Sequence, residues 1–323
     1  MSELNNGQGV ASVAPIPPKT DKKDNSMASA RRKETLFYIC IVILPLIQFA
    51  IFYVYANINS FTMSFKKWTE KDGWSWAGFD NYKNMWIELT MPNTNLNNGM
   101  INAVKVYLLG WLVKPFNLLF PFYVYKKMPA HSFFKTMLFL PQILSTTCTA
   151  LIYKYVVDQV VPEISKLYFG VQMDPLLSNP NSTFWVAWFF GVLDGIGGSI
   201  LIYTSAMMRI PESLVEYGKL EGCTGLKEFI HITFPLILPT FAVYLMLGFT
   251  SIFSANLSLY TFFGNGSPIQ TIGYYTYVMV VDSSGYTSYP KAAAIGLFFT
   301  AVLVPLTIIF RNLLNKITPQ VQY

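Results

Sequence analysis

The most informative segment of the chain is LVEYGKLEGCTGLKEFIHITFPLILPTFAV, residues 214–243. It begins charged and ends apolar. Four glutamates and three lysines or arginines lie between Arg209 and Glu228, directly between two apolar runs. Connections between helices in bundles usually take about two to eight residues. This charged stretch is therefore longer than a plain connector needs to be.

The rest of the chain is strongly apolar. Of its 323 residues, 53% are hydrophobic and only 12% are charged, whereas soluble domains average about 25% charged residues. The apolar runs approach roughly 20 residues, the length of a bilayer-spanning helix. Composition therefore predicts an integral membrane protein. The net charge of +6 is explained by basic loops at the inner membrane face, so no nucleic-acid partner is expected.

Six apolar runs predict transmembrane helices, and the predicted fold class is all-α integral membrane. The runs cover about 36–58, 100–124, 133–157, 183–208, 232–254 and 291–312. Residues 1–34 are polar and lack apolar periodicity, so they are predicted to form a disordered cytoplasmic tail. Residues 35–323 are predicted to form one six-span domain.

The basic residues predict the orientation of these spans. Arg31-Arg32-Lys33 precedes the first run and favours a cytoplasmic N-terminus, and six spans then return the C-terminus to the same side. Fourteen of the 23 lysines and arginines fall in or beside the segments that this topology places inside. Those segments are the tail, 125–132, 209–231 and 313–323. We therefore predict a multi-pass protein with both termini in the cytoplasm.

Residues 209–231 form the largest predicted cytoplasmic loop. They are predicted to hold a short helix with Glu212 in its first turn, a sharp turn at Gly222, and a second helix that starts at Leu226 and leads into the fifth span. The side chains expected to face inward are Leu214, Tyr217 and Leu220. Glu212 and Glu228 are interpreted as solvated acids that keep the loop in water.

The loop contains, in order, Glu216-Tyr217-Gly218, Glu221-Gly222-Cys223 and Leu238-Pro239. This order resembles the coupling loop of binding-protein-dependent ABC importers, in which an acid, two small residues, a glycine and a later Leu-Pro follow one another. The sequence departs from that pattern at Tyr217 and Cys223, where alanine is usual, and at Glu221, where aspartate is usual.

Shorter elements resemble the maltose/glycerol-phosphate-type sugar permeases of the same importers. They are Phe79–Tyr82, Phe133–Thr136 with Phe139-Leu140-Pro141, and Leu259–Thr261 with Gly264–Pro268. The resemblance implies a type I importer permease fold in a bacterial cytoplasmic membrane, with a coupling helix between the fourth and fifth spans. The residues that it assigns to ATPase coupling are Glu216, Tyr217, Gly218, Glu221, Gly222 and Pro239.

No phosphate-binding loop is present, because Gly218-Lys219 is followed by Leu220, and Ser213 stands where the first glycine of such a loop should be. The chain is therefore predicted to be a transport subunit without an ATPase motif, catalytic residues, cofactor or metal of its own. The resemblance implies that two partner ATPase subunits bind ATP and Mg, and that a second homologous permease and an extracytoplasmic sugar-binding protein complete the complex within the membrane lipid.

The predicted substrate is a carbohydrate, with an oligosaccharide ahead of glycerol phosphate or another small polar solute. Glycerol phosphate would need a concentrated positive site, which Lys105 and Lys114 of the second span hardly provide. A secondary transporter or channel is a further alternative, but the sequence shows no inverted repeat and neither class explains the charged loop. A membrane enzyme would need clustered acids, which the sequence lacks.

The residues predicted to line the substrate path are Asp194, Asn256, Tyr260, Lys114 and Phe253. Asp194 lies within the fourth span beside three glycines, where an acid is costly. It is expected to contact substrate, to pair with Lys114, or only to hydrogen-bond a neighbour where glycines let helices pack closely. Asn256 would bind a sugar hydroxyl or form an interhelical hydrogen bond. The aromatic residues would stack on a sugar ring or simply pack.

Overall fold

The computed structural model describes residues 22–281 and 286–317, with side chains from residue 31 onward. The chain divides into two compact units, residues 1–59 and residues 60–323.

The first unit is helical from Lys22 onward. Helix α1 covers Lys22–Phe49 and continues through a π-helical segment, Ala50–Tyr55, into helix α2, Ala56–Ser64. The predicted tail is therefore wrong for residues 22–34, where alanine, arginine and glutamate favour helix and extend the helix of the apolar run. Residues 1–21 lie outside the described part of the chain. The large apolar side chains between Leu36 and Phe61 are exposed, as expected for a surface made for lipid or a membrane partner.

The second unit holds the remaining elements. In chain order they are the hairpin β1 (Lys66–Thr69) and β2 (Gly73–Trp76), α3 (Asp80–Thr90), α4 (Asn95–Tyr125), α5 (His131–Ile143), α6 (Thr146–Tyr155), a π-helical segment (Val156–Val160), α7 (Val161–Phe169), α8 (Pro180–Met207), α9 (Glu212–Leu220), α10 (Leu226–Glu228), a second π-helical segment (Phe229–Thr233), α11 (Phe234–Thr250), α12 (Leu259–Phe263), α13 (Ile272–Val281) and α14 (Tyr289–Ile317).

Five helical stretches are long and apolar enough to cross a membrane, and they match five of the six predicted spans. They are Arg31–Ser64, Asn95–Tyr125, Pro180–Met207, Leu226–Thr250 and Tyr289–Ile317. The predicted third span, 133–157, is not one continuous helix. Its two parts, His131–Ile143 and Thr146–Phe169, are separated by a bend of 107°. Counting this bent pair as one span gives the predicted six.

The bend in the third span has a local cause. Leu144 and Ser145 have extended backbone with ψ of 155° and 133°, which interrupts the helical hydrogen bonds. The sequence from Ser145 to Thr147 is Ser-Thr-Thr, and these residues favour helix starts over helix interiors because their hydroxyls compete for backbone groups. Apolar content alone did not reveal this interruption.

Helix α4 is the longest helix in the described part of the second unit. Its 31 residues correspond to about 46 Å at 1.5 Å per residue. The β-hairpin and α3 precede its N-terminus, and we call that end the hairpin face. Residues 126–130 and 209–225 lie at its other end, which we call the loop face.

Close helix contacts hold the bundle together where glycine removes a side chain. A methyl group at Gly197 of α8 would lie 2.6 Å from the carbonyl oxygen of Leu138 and 2.7 Å from Cγ of Gln142, both in α5. Gln142 also donates a hydrogen bond to the carbonyl oxygen of Asp194. Small residues let helices approach closely in this way when no hydrophobic effect drives them together.

Candidate functional site: coupling loop and substrate path

The loop face carries the predicted short helix. Helix α9 begins at Glu212, directly after Pro211, whose ψ of 131° keeps it outside the helix. Pro211 is thus the residue directly before the first turn. Glu212 lies in the first turn and Lys219 in the last, so both charges complement the helix dipole. The prediction of a helix here is confirmed.

The buried side of α9 differs from the predicted one. Val215 and Gly218 are buried, whereas the side chains expected to face inward are exposed by 43% for Leu214, 66% for Tyr217 and 83% for Leu220. That expectation was wrong because α9 rests on the bundle through Val215 and Gly218. Its larger apolar side chains are left on the surface of this chain.

Gly218 explains how α9 can lie so close to the fifth span. A Cβ at this position would collide with the side chain of Ile232, in the π-helical segment that precedes α11. The second small position of the loop is therefore a contact position. Tyr217, the other small position of the pattern, points away into solvent, and its large side chain meets no obstacle in this chain.

The turn after α9 is a Schellman motif. The amide of Gly222 donates to the carbonyl of Lys219 over 3.0 Å, and the amide of Cys223 donates to the carbonyl of Gly218 over 2.8 Å. These are the two hydrogen bonds of that motif, which places a left-handed residue directly after the helix. Gly222 has a φ of +76°, as the motif requires. The predicted role of Gly222 in a sharp turn is confirmed.

The chain then enters the fifth span through a wide turn. The amide of Phe234 donates to the carbonyl of Phe229, an i+5 bond of the π-helical segment. Pro235 follows in the first turn of α11, and Pro239 lies inside it. Proline lacks an amide donor and crowds the preceding turn, and a π bulge is one way to accommodate this. Pro239 is half-buried in this entry segment and is not on the loop surface.

The acids of the loop have two different environments. Glu216 and Glu221 are exposed, and neither forms an ion pair within residues 22–281 and 286–317. Glu228 was interpreted as a solvated acid, and this was wrong: its side chain is only 2% exposed, and its Oε1 lies 2.5 Å from Nζ of Lys126. The two atoms are at ion-pair distance, but Oε1 of Glu228 forms no hydrogen bond among the described residues.

The substrate-path candidates lie apart from this loop, in the spans and just beyond α11. Lys114 of α4 holds its ammonium 5.4 Å from the ring centre of Tyr244 in α11, a cation–π distance. No ion pair joins Lys114 to Asp194 in the described part of the chain. Of the three alternatives for Asp194, the pairing with Lys114 is therefore contradicted. The half-buried carboxylate is left without an ion-pair partner among the described residues.

The other three candidates follow the end of α11. The predicted fifth span extended to residue 254, but helix α11 ends at Thr250. Phe253 packs on Phe299, with ring centres 4.5 Å apart, and Tyr260 packs edge-on against Tyr277 at 4.9 Å.

Asn256 is used locally. Its Oδ1 accepts a hydrogen bond of 3.0 Å from the amide of Ser258, two residues on. This is an Asx turn, so the proposed interhelical hydrogen bond of Asn256 is not formed in the described chain. The Asn256 side chain is exposed.

Two polar clusters were not predicted from the sequence. One is the Lys126–Glu228 pair on the loop face. The other joins Glu88, Tyr275 and Lys291 on the hairpin face. The only available signal for the first was an acid, Glu228, placed at the apolar start of a span. No signal in the sequence indicated the second cluster, because its three residues are far apart in the chain.

A bundle of membrane-spanning helices, with an exposed short helix and a glycine-capped turn between the fourth and fifth spans, defines the class of integral membrane subunits of importers. Residues 111–323 match the family model described as "Binding-protein-dependent transport system inner membrane component". The chain belongs to this family. This confirms the resemblance that the loop residues indicated.

Curated relatives agree with this assignment. The arabinooligosaccharides transport system permease protein AraP of Bacillus subtilis (strain 168) is 22% identical over 273 residues, which are 81% of this chain and 83% of AraP. The multiple sugar-binding transport system permease protein MsmF of Streptococcus mutans serotype c (strain ATCC 700610 / UA159) is 23% identical over 268 residues, 81% of this chain and 90% of MsmF.

A solved structure confirms the type I importer fold. It is a chain of a bacterial ABC transporter involved in the import of the acidic polysaccharide alginate. It aligns with a TM-score of 0.73 and 19% sequence identity, covering 91% of this chain and 100% of that chain.

Proposed function

We propose that this chain is one of the membrane-spanning subunits of an ATP-driven importer that takes up an oligosaccharide delivered by an extracytoplasmic binding protein. Two relatives named for arabinooligosaccharides and for multiple sugars support a carbohydrate substrate. The alginate transporter of similar fold has also been crystallised with a periplasmic protein that binds an alginate pentasaccharide. A second, homologous permease and a sugar-binding protein are the proposed partners in the membrane and outside it.

The observation that carries the proposal is the exposed surface of α9. Leu214, Tyr217 and Leu220 present apolar side chains next to the carboxylate of Glu216, which has no ion-pair partner among the described residues, on a helix anchored by buried Val215. A surface of this kind suits a cleft with apolar walls and a basic residue. Since the chain lacks a phosphate-binding loop, ATP and Mg would be bound by two separate ATPase subunits, each docked on one permease.

The loop face is proposed to be cytoplasmic. Basic residues concentrate there, and cytoplasmic segments of membrane proteins carry an excess of lysine and arginine. They are Lys126, Lys127, Arg209, Lys219 and Lys227. ATPase subunits on this face would close on ATP and rotate the two permeases as near-rigid bodies, which alternates access to the path between them.

The substrate path is proposed to include Asp194, Lys114, Asn256, Tyr260 and Phe253. Asp194 and Lys114 are charged groups within spans, and such residues usually mark a pathway. Asn256 is exposed beyond the end of α11 and has an amide nitrogen suited to a sugar hydroxyl.

Copurification of the permease pair with its partner ATPase tests the proposal. We expect the wild-type permease pair to retain the ATPase and to hydrolyse ATP faster when binding protein and sugar are added. Glu216→Ala removes one charge-assisted contact, which would weaken ATPase binding about ten- to a hundredfold. Glu34→Ala, an exposed acid outside the loop, is the matched control. Full ATPase retention by Glu216→Ala, at concentrations near the wild-type Kd, would contradict this role.

A further inference from the structure

Two segments that are distant in sequence meet beside the coupling loop. Lys126 follows the last residue of α4, and Glu228 ends α10, the short helix after the Schellman turn. Their ion pair is 2.5 Å long, and the Glu228 side chain is 2% exposed against 20% for Lys126. The pair therefore bridges the loop segment to a span with which it has no direct covalent connection.

Aromatic packing surrounds this pair. The rings of Phe122 in α4 and Phe229, next to Glu228, lie 5.0 Å apart, and the Lys126 ammonium lies 5.9 Å from the centre of the Phe122 ring. Both rings belong to the apolar cluster that contains Val215 of α9. A continuous chain of contacts thus runs from the coupling helix, through Phe229 and Glu228, to the end of α4.

Stability by itself is a weak reason for a buried ion pair. Replacing such a pair with well-packed apolar side chains is often neutral or stabilising, whereas removing one partner leaves a costly buried charge. A documented use of buried polar and ionic groups is to fix the position of one segment against another.

We propose that the Lys126–Glu228 ion pair is the joint through which displacement of α9 is passed to α4. Helix α9 is linked by the chain itself to α11, so a push on α9 moves the fifth span directly. Through the Lys126–Glu228 ion pair, the same push also moves the second span, α4. Helix α4 carries Lys114 and packs extensively on α8, which carries Asp194. The inference rests on the proposed docking of an ATPase on α9.

Four variants of the assembled transporter test the joint. Glu228→Gln removes one charge, and Lys126→Met with Glu228→Met replaces the pair by apolar side chains that should still fold. Lys126→Glu with Glu228→Lys restores the pair with reversed charges. Lys127→Met removes an exposed neighbouring charge and is the control.

The measured quantity is the number of sugar molecules imported per ATP hydrolysed, in vesicles containing equal amounts of assembled complex. We expect this ratio to fall about fivefold or more in Glu228→Gln and in the double methionine variant. We expect near wild-type values in the charge-reversed variant and in Lys127→Met. A merely structural role would lower the amount of complex and leave the ratio unchanged. A normal ratio in the double methionine variant would overturn the proposal, and so would a low ratio in the charge-reversed variant that assembles normally.

A second measurement is independent of any ATPase. Amide hydrogen exchange in the purified permease pair should rise in residues 212–225 of Glu228→Gln, because the loop loses its anchor to α4. Unchanged exchange there would contradict the joint even if the transporter were inactive. If instead the wild-type complex neither binds an ATPase nor imports sugar, the proposed function fails while the exchange result still decides whether the anchor exists.

Discussion

Tyr275 donates a 2.5 Å hydrogen bond to Oε1 of Glu88, a residue 187 positions earlier in the chain. Lys291 completes the cluster: its ammonium lies 2.5 Å from the other oxygen of Glu88 and 3.1 Å from the Tyr275 hydroxyl. The three side chains join α13, α3 and α14 on the hairpin face. Burial, and then the hydrogen bond to Glu88, raise the pKa of Tyr275 above its ordinary value. The hydroxyl therefore stays a donor through the physiological range.

Replacing Tyr275 by Phe should destabilise the protein by about 1–3 kcal/mol, because a partly buried carboxylate loses a donor. It should also change the dependence of stability on pH. A tyrosine with a raised folded pKa contributes stability that is fully present below its unfolded pKa, about 10. That contribution is lost as the pH rises from there through the folded pKa.

Thermal unfolding in detergent between pH 7 and 11 measures both effects. The decline of Tm above about pH 10 should be shallower in Tyr275→Phe than in the wild type. Tyr277→Phe, on the same helix and 45% exposed, provides the control. An equally steep decline in Tyr275→Phe and the wild type would contradict this assignment.

Gly197→Ala should weaken the contact between α5 and α8. The added methyl group would lie 2.6 Å from the backbone oxygen of Leu138, and a backbone atom cannot rotate away. Overpacking of this kind costs about 1–3 kcal/mol. Gly195→Ala is the matched control on the same helix, since nothing lies within 4 Å of a Cβ there. Gly197→Ala should therefore unfold at a lower temperature than Gly195→Ala. Equal melting temperatures would refute the close contact.

Gly222→Val should disturb the coupling turn, because its φ of +76° suits glycine and strains a β-branched residue. Such strain costs about 1–3 kcal/mol. Gly222→Asn should be milder, since asparagine tolerates this conformation and a Cβ would meet nothing within 4 Å. Sugar-stimulated ATP hydrolysis should therefore fall more in the valine variant. If both variants fell equally, a contact of the Gly222 surface with the ATPase would explain the loss better than backbone strain.

Asp194→Asn should change uptake kinetics if the acid lines the path. The carboxylate lies within α8 without an ion-pair partner in residues 22–281 and 286–317. Asparagine keeps its shape and removes the charge. Uptake measured over a range of sugar concentrations should show an altered half-saturation or maximal rate, at unchanged amounts of protein in the membrane. Unaltered kinetics would show that Asp194 does not line the path and only packs against its neighbours.

The positions of five spans and the glycine turn could be predicted from the sequence, and each rests on a local physical constraint. Bilayer thickness fixes the length of an apolar helix, so the run that leads to Thr250 could be recognised without any knowledge of its neighbours. The turn at Gly222 was equally local, because only a few residues near it determine which backbone angles are allowed.

The bend after Ile143 was also local, yet it was missed. Hydropathy does not record where a helix is interrupted, and the residues from 133 to 157 are apolar enough on either side of the break. Serine and threonine at 145–147 carried the signal, since their hydroxyls favour a helix start.

The membrane class, the approximate spans, the family, and the short helix and glycine turn of residues 209–231 could be predicted from the sequence, because these depend on segment length, composition and neighbouring residues. The burial of Val215 and Gly218 on α9, and of Glu228 against Lys126, follows from tertiary packing and could not be predicted from the sequence. Apolar periodicity predicts which face of a helix is buried only when polar residues mark the other face. Helix α9 carries large apolar side chains on its exposed side, so its rotation is set by packing of Val215 and Gly218 against the bundle.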